Sequence, residues 1–289
     1  MNPQPAAPLD GIEQDLVLEA IWRRHHYDFR GYARDMMARR LAHAQQRFGC
    51  ETLSALQERV LHDPAILAPL LDVLTIQVSE MFRDPEHFLA LREQVIPHLA
   101  TYPSIKVWVA GCGAGEELYS LAILFREEGL ERKTVFYATD LNSHALKKAE
   151  AGIYPLERVA AFTENHRRSG GRSSLSDHYT AAYGAAVFDR TLRERTVFAE
   201  HSLVSDHVFA EVQLVSCRNV LIYFGRSLQD RALGLFAEAL PHGGFLALGS
   251  RETPRFSSHA AAFADFGGPQ RIYRRMAPAL AGRERGHAA

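Results

Sequence analysis

The sequence contains no CxxC pair, and its three cysteines, Cys50, Cys112 and Cys217, are too few and odd in number for a disulfide framework or a cysteine zinc site. A reducing compartment follows. Charge of one sign is not in excess either, with 33 Lys+Arg against 34 Asp+Glu, so a global bias toward polyanions such as nucleic acid is excluded. Long hydrophobic runs are missing: the most apolar stretch, AILAPLLDVLTIQV, is broken by Pro69 and Asp72 well short of a membrane span. The opening MNPQPAAPLD lacks the basic and apolar regions of a secretory leader, and the expected location is the cytoplasm, without membrane insertion. Fourteen histidines form no HExxH, and the adjacent His25 and His26 would diverge on a helix, so no metal is expected. What is present, 47% hydrophobic and 23% charged residues, excludes disorder of the whole chain.

The N-terminal third shows only helical periodicity. Met37, Leu41, Ala44 and Phe48 recur at i, i+4, i+7 and i+11, and Asp63-Pro64 and Asp84-Pro85 each read as an N-cap followed by proline at the first helical position. Residues 11–90 therefore form an all-α unit. Farther on, IKVWVA, TVFYATD, VQLVSC and GFLALGS are apolar runs of strand length, with helical stretches within the first and last pairs, which predicts a parallel α/β domain over 91–276. Gly, Ser and charged residues interrupt that pattern and predict an inserted loop or mini-sheet at about 165–200. The stretch 277–289 reads as a flexible tail.

Gly111-Cys112-Gly113-Ala114-Gly115 links the strand KVWVA to a helix whose apolar face is Leu118, Leu121, Ala122 and Phe125. Glycines at a helix N-terminus let the backbone pass close to a bound group. The spacing is G-x-G-x-G, one residue short of the dinucleotide fingerprint, which disfavours a nicotinamide oxidoreductase and favours adenosine without a diphosphate. Asp140 ends the next strand, where an acidic residue holds a ribose hydroxyl in sheets of this kind. Cys217-Arg218-Asn219-Val220-Leu221-Ile222-Tyr223-Phe224 follows a later strand, again at a carboxyl end. Cys112 and Cys217 read as small packing residues.

Four segments, LTIQVSEMFRD (74–84), AGCGAGEELYS (110–120), ATDLNSHALKKAEAGIY (138–154) and SCRNVLIYF (216–224), stand in the order and spacing of CheR-type chemotaxis methyltransferases. The chain resembles that family over about residues 11–276. The resemblance implies a Rossmann-like class I methyltransferase sheet with a small all-α N-terminal domain and a small inserted β subdomain. It also implies S-adenosylmethionine as cofactor, S-adenosylhomocysteine as product, and methyl transfer to glutamate carboxylates of a chemoreceptor in sensory adaptation. On the matching positions it puts the cofactor in the glycine turn (Gly111, Gly113), Glu117 near the methionine amino group and Asp140 on the ribose. Ser202 and Leu203 would flank the adenine, with Arg218 and Asn219 as the next contact pair. Gln77, Ser79 and Arg83 belong to the interdomain segment closing over the cofactor, and Tyr223 stands beside the transferred methyl. Gln77 and Ser202 depart from the family's usual Asn, Met81 from its aromatic residue, and Val109 from the acidic residue of many other methyltransferases; Ser202 offers less hydrogen-bonding capacity than Asn.

An ionised glutamate needs no general base, since its unperturbed pKa is about 4.3. Alignment is then the enzyme's task, and the planar guanidinium of Arg83 is the candidate for orienting the incoming carboxylate, with Tyr223 shaping the methyl's approach. The helix carrying Arg34, Arg39, Arg40, His43 and Arg47 holds one acid, Asp35. Arg39, Arg40 and Arg47 are the candidate docking residues for an acidic receptor helical bundle; a solvated face is the plainer account of the same charges. The expected protein is a monomer. The departures at Gln77, Met81 and Ser202 leave a non-catalytic S-adenosylmethionine-binding or scaffold module as the alternative.

Overall fold

The computed structural model describes residues 9–75 and 79–277; Gln77 and the tail from Pro278 onward lie outside them. Apolar residues at helical spacing build the N-terminal unit from α1 (Leu9–His25), α2 (Arg34–Arg47), α3 (Leu53–His62) and α4 (Leu67–Leu74). Met37, Leu41 and Ala44 are fully buried against Val17, Ile21, Leu56 and Leu70, while Phe48, beyond the end of α2, is half-buried beside the Arg59 guanidinium. The Asp63 carboxylate accepts the Ala65 N–H at 3.0 Å ahead of Pro64, as its sequence predicts. Asp84 does not cap: it stands in the left-handed region at φ 57°, and its carboxylate is turned to Arg218. The cause is that a buried guanidinium outcompetes a backbone N–H for a carboxylate.

After α5 (Pro85–Ala90), a π-helical turn (Leu91–Val95) and α6 (Ile96–Leu99), the sheet begins. β1 (Ile105–Ala110), β2 (Thr134–Asp140), β6 (Thr196–Glu200), β7 (Leu214–Cys217) and β8 (Phe245–Leu248) run parallel, and β10 (Ile272–Arg275) pairs antiparallel with β8 and β9 (Phe263–Asp265). The order is β6-β2-β1-β7-β8-β10-β9. It reverses direction between β1 and β7, and the carboxyl ends of those strands open the crevice where ligands bind such sheets. Alternation along β1 sends Val107 and Val109 to a core with Phe125 and Phe136, and Trp108 and Ala110 to a second core with Phe236 and Leu246. The flanking helices are α7 (Glu116–Glu127), α8 (Ser143–Ala151), α9 (Val159–Arg168) and α10 (Arg226–Ala239).

The inserted sheet consists of β3 (Ile153–Pro155), β4 (Tyr179–Ala182) and β5 (Ala185–Phe188), in the order β3-β5-β4. It starts earlier than the expected 165, because three residues after the left-handed Gly152 are too few to carry a strand period. It also ends earlier than 200, since Thr196–Glu200 pairs with β2 as an edge of the large sheet. Among the described residues, no helix is long and apolar enough to cross a membrane.

Candidate active site

The loop after β1 turns back on itself because the Gly111 and Cys112 N–H groups both donate to the Thr139 carbonyl, at 2.8 and 2.9 Å. Gly111 has φ 70°, and a Cβ there would come within 2.5 Å of the Val220 side chain, so bare backbone is what lets the two strand-end loops meet. Gly115, at φ 98°, serves another purpose. Its Cβ would strike Ala149 of α8 at 2.9 Å, so the third glycine of the turn answers to helix packing and not to a ligand. At the end of β2, Asp140 accepts the Gly113 N–H on one oxygen at 2.8 Å and the Asn142 N–H on the other at 2.9 Å. Burial pushes its carboxyl up from the ordinary aspartate value, and the backbone donors of Asn142, Gly113 and Leu141 pull the other way.

Arg218 joins the sheet to the interdomain segment. Its side chain is 2% exposed and donates to Glu117 at 2.9 Å, to Asp84 at 2.9 Å and to the Arg83 carbonyl at 2.7 Å, with the Phe88 ring 5.2 Å below. The other Glu117 oxygen accepts the Ser216 hydroxyl at 2.7 Å. Further grips on the segment come from Ser120, whose hydroxyl accepts the Phe82 N–H at 2.8 Å, from Asn165, which donates to the Met81 carbonyl at 3.1 Å, and from Arg158, which donates to the Ser79 carbonyl. Phe82 and Asp84 both hold left-handed φ, 51° and 57°, so strained backbone flanks Arg83 on either side. The Arg83 side chain itself, half-buried, forms no ion pair among the described residues.

The N-terminal unit closes the other wall. The Ala33 N–H donates to the Tyr223 carbonyl and the Gly225 N–H to the Gly31 carbonyl, both at 2.8 Å, and the Tyr32 and Phe224 rings meet edge to face at 4.9 Å. These bonds set Tyr32 and Met36 into the same cleft as Tyr223. Burial raises the Tyr223 phenol, against the pull of the nearby Arg83 and Arg40. Asn142 donates to Asp72 and Thr75 at 2.9 and 3.1 Å and ties the two units a second time.

One cleft thus collects Ser79, Arg83, Gly111, Gly113, Glu117, Asp140, Ser202, Leu203, Arg218, Asn219 and Tyr223. Ser202 uses its hydroxyl oxygen locally, accepting the Val204 and Ser205 N–H groups at 3.2 Å, while buried Leu203 supplies apolar wall. Arg39, Arg40 and Arg47 line no part of it: Arg39 and Arg47 are exposed on α2, and the half-buried Arg40 stands near enough to Tyr223 to act on its phenol. Sequence reasoning misses Tyr32, Met36, Ser216, Asp84 as a partner of Arg218, and Glu252, which accepts N–H groups of the loop after β7. A carboxylate just past the end of β8 was the available signal for Glu252; nothing in the spacing marks Tyr32.

Residues 12–75 match the family described as "CheR methyltransferase, all-alpha domain", and residues 77–271 match "CheR methyltransferase, SAM binding domain". A protein named "Putative methyltransferase Cher3", from Pseudomonas putida, is 56% identical over 264 residues, covering 91% of this chain and 97% of the relative. A "Chemotaxis protein methyltransferase" of Listeria innocua is 33% identical, covering 66% of this chain and 70% of its own length, and one of Klebsiella aerogenes is 27% identical, covering 85% and 84%. Both domain matches lie in the order that the helical unit and the sheet take in the structure, and the chain belongs to the CheR methyltransferase family.

Proposed function

We propose that the protein methylates glutamate side chains of a chemoreceptor, giving carboxyl methyl esters. The observation that carries this reading is that a guanidinium with no ion pair among the described residues, Arg83, and a tyrosine, Tyr223, share one cleft with two carboxylates, the buried Asp140 and the half-buried Glu117. The cleft suits S-adenosylmethionine chemically: Asp140 can accept from a ribose diol, and Glu117 offers negative charge to an ammonium. When bound, the cofactor supplies an electrophilic methyl on a sulfonium.

Arg83 orients the incoming carboxylate by one contact, since a tighter grip would stabilise the anion and blunt its attack. Tyr223 shapes the approach, and Arg218 holds Glu117 and the segment around Arg83 in register. With S-adenosylmethionine held by Asp140 and Glu117, an O–C bond would form as the C–S bond breaks, its electron pair passing to the thioether, so that the two opposite charges would cancel. No proton moves, so alignment is the protein's contribution, worth up to roughly 7 to 11 kcal/mol. Incubation with labelled S-adenosylmethionine and the cell's receptor fraction tests the reading: alkali-labile label supports it, and cofactor binding without transfer to any receptor selects a non-catalytic module.

Asp140 gives a prediction with a definite sign. Its folded-state value is raised, so the ionised form that accepts from the ribose is lost at a pH above the ordinary aspartate range, and cofactor affinity should be full above that point and fall below it. Calorimetry with S-adenosylhomocysteine from neutral to mildly acidic pH reads this directly. Asp140→Ala should weaken binding about 10- to 100-fold, as the loss of a charge-assisted contact implies, and should flatten the pH profile. Equal affinity for wild type and variant would remove the ribose assignment.

The receptor's helical bundle docks on α2. Arg34 is paired with Asp15 at 2.8 Å, whereas Arg39, Arg40 and Arg47 form no ion pair among the described residues. Arg40 lies one turn beyond Met36, which lines the cleft, so a partner seated on these charges reaches the site. Reversing all three to Glu should slow receptor methylation and remove its salt dependence while leaving cofactor binding unchanged, because single exposed pairs contribute only about 0.2 to 1 kcal/mol. A wild-type rate in the triple variant would make the helix a solvated face.

A further inference from the structure

Glu252 follows the end of β8 and is 4% exposed, yet no cation pairs with it among the described residues. Its carboxylate instead gathers backbone N–H groups. One oxygen accepts from Gly249 at 2.6 Å and from Asn219 at 3.0 Å; the other accepts from Ile222 at 3.2 Å. Burial raises its carboxyl against the pull of those donors. Removing a charge from water without a counter-charge is a costly way to fill space, and a well-packed apolar side chain would do so more cheaply. The two oxygens, however, reach opposite ends of the loop that bears the cleft residues.

That loop turns sharply. Asn219 has φ 59°, in the left-handed region that asparagine tolerates better than most side chains, and Leu221–Tyr223 forms a single 3-10 turn that aims the Tyr223 side chain into the cleft. The approach between Glu252 and the loop is also close. A Cβ on Gly249 would come within 2.8 Å of the Asn219 nitrogen and 2.8 Å of the Glu252 carboxylate, so the strand end stays bare where the two meet.

We propose that Glu252 is the positioning residue of the methyl-transfer loop, holding Asn219 through one carboxylate oxygen and the Ile222–Tyr223 turn through the other. The proposal rests on the reading of Tyr223 as the residue beside the transferred methyl. Because the two oxygens serve different ends, the two functions should separate. In Glu252→Gln the amide oxygen can keep Gly249 and Asn219, while the amide NH2 faces the Ile222 N–H, donor against donor. Glu252→Ala releases both ends.

The test uses the full chain with three variants, Glu252→Gln, Glu252→Ala and Tyr223→Phe, read by receptor methylation, S-adenosylhomocysteine calorimetry and amide hydrogen exchange by NMR. For Glu252→Gln we expect Ile222 to exchange at least about tenfold faster with Asn219 unchanged, cofactor affinity within about twofold of wild type, and kcat lower by about tenfold or more at constant receptor KM. Glu252→Ala should lose protection at both amides and lose cofactor affinity as well as kcat. On the Tyr223→Phe background, Glu252→Gln should cost less than about threefold more, because the two act as a unit. Unchanged Ile222 exchange and turnover in Glu252→Gln would overturn the proposal. So would equal losses of affinity, kcat and Tm in Gln and Ala variants, the mark of a merely structural carboxylate, or full additivity with Tyr223→Phe. A wild-type rate for Tyr223→Phe would overturn the reading of the tyrosine alone, and the exchange pattern at Asn219 and Ile222 would still decide the role of Glu252.

Discussion

Replacing Arg218 by Met is expected to destabilise the protein by about 3 kcal/mol and to weaken cofactor binding by at least about tenfold, the largest paired effect of any single change in the cleft. The guanidinium is 2% exposed and stands between Glu117, 14% exposed, and Asp84, 43% exposed. Removing one partner of a buried pair costs about 3 to 5 kcal/mol because the other is left uncompensated. The lower end applies here: Asp84 can rehydrate in place, and Glu117 retains the Ser216 hydroxyl. The loss of function comes with the loss of stability because the same fork holds the Arg83 carbonyl, so the left-handed Asp84 and the segment before it lose their anchor. Arg218→Lys should recover part of the stability and less of the affinity, since an ammonium is a point charge and cannot serve Glu117, Asp84 and a carbonyl from one rigid plane. Denaturant midpoints at constant m-value and calorimetry with S-adenosylhomocysteine give both quantities. A Met variant with wild-type midpoint and affinity would show that both carboxylates find water and that Arg218 only fills space.

This arrangement also marks the boundary of what the sequence displays. The parallel strands are legible because each is a short apolar run bounded by turn residues, and the pairing of the glycine turn with Asp140 is legible because both lie at strand ends a fixed distance apart. Their partners across the cleft are not. Asp84 sits beside a proline and resembles a helix cap, yet its partner is 134 residues away, and only the folding of residues 79–84 against the sheet and its helices brings Arg218 within reach. Tyr32 enters the cleft through the backbone bonds between residues 31–33 and 223–225, which depend on no side chain. The third glycine shows the opposite case: G-x-G-x-G reads as one ligand-binding unit, whereas the structure divides it between the cleft and the packing of α8. Local pattern is visible in sequence when a residue answers to its neighbours, and invisible when it answers to a surface that exists only after folding.

Arg83→Ala should lower kcat by about 100-fold while changing S-adenosylhomocysteine affinity by less than about threefold, if the guanidinium acts on the substrate carboxylate alone. The structure separates the two effects well. The backbone of Arg83 is held from outside, its carbonyl by Arg218 and its preceding residue by the bond from the Phe82 N–H to Ser120, so truncating the side chain leaves the segment in place. Two acids close in sequence are engaged elsewhere, Asp84 with Arg218 and Glu86 with Arg168, and no ion pair among the described residues is broken by the substitution. On the reading of Arg83 as the carboxylate's partner, what is lost is a positioned donor, whose removal in comparable sites costs about 10²- to 10³-fold. The lower figure is expected because proximity of carboxylate, methyl and sulfur survives and only the orientation of one partner is relaxed. Arg83→Lys should fall between, keeping the charge but not the plane. Turnover with receptor at saturating cofactor, set beside calorimetry on the same preparations, distinguishes the possibilities. Intact turnover with affinity reduced tenfold would move Arg83 from the substrate to the cofactor, and the task of orienting the glutamate would pass to Tyr223 and to whatever the receptor itself brings into the cleft.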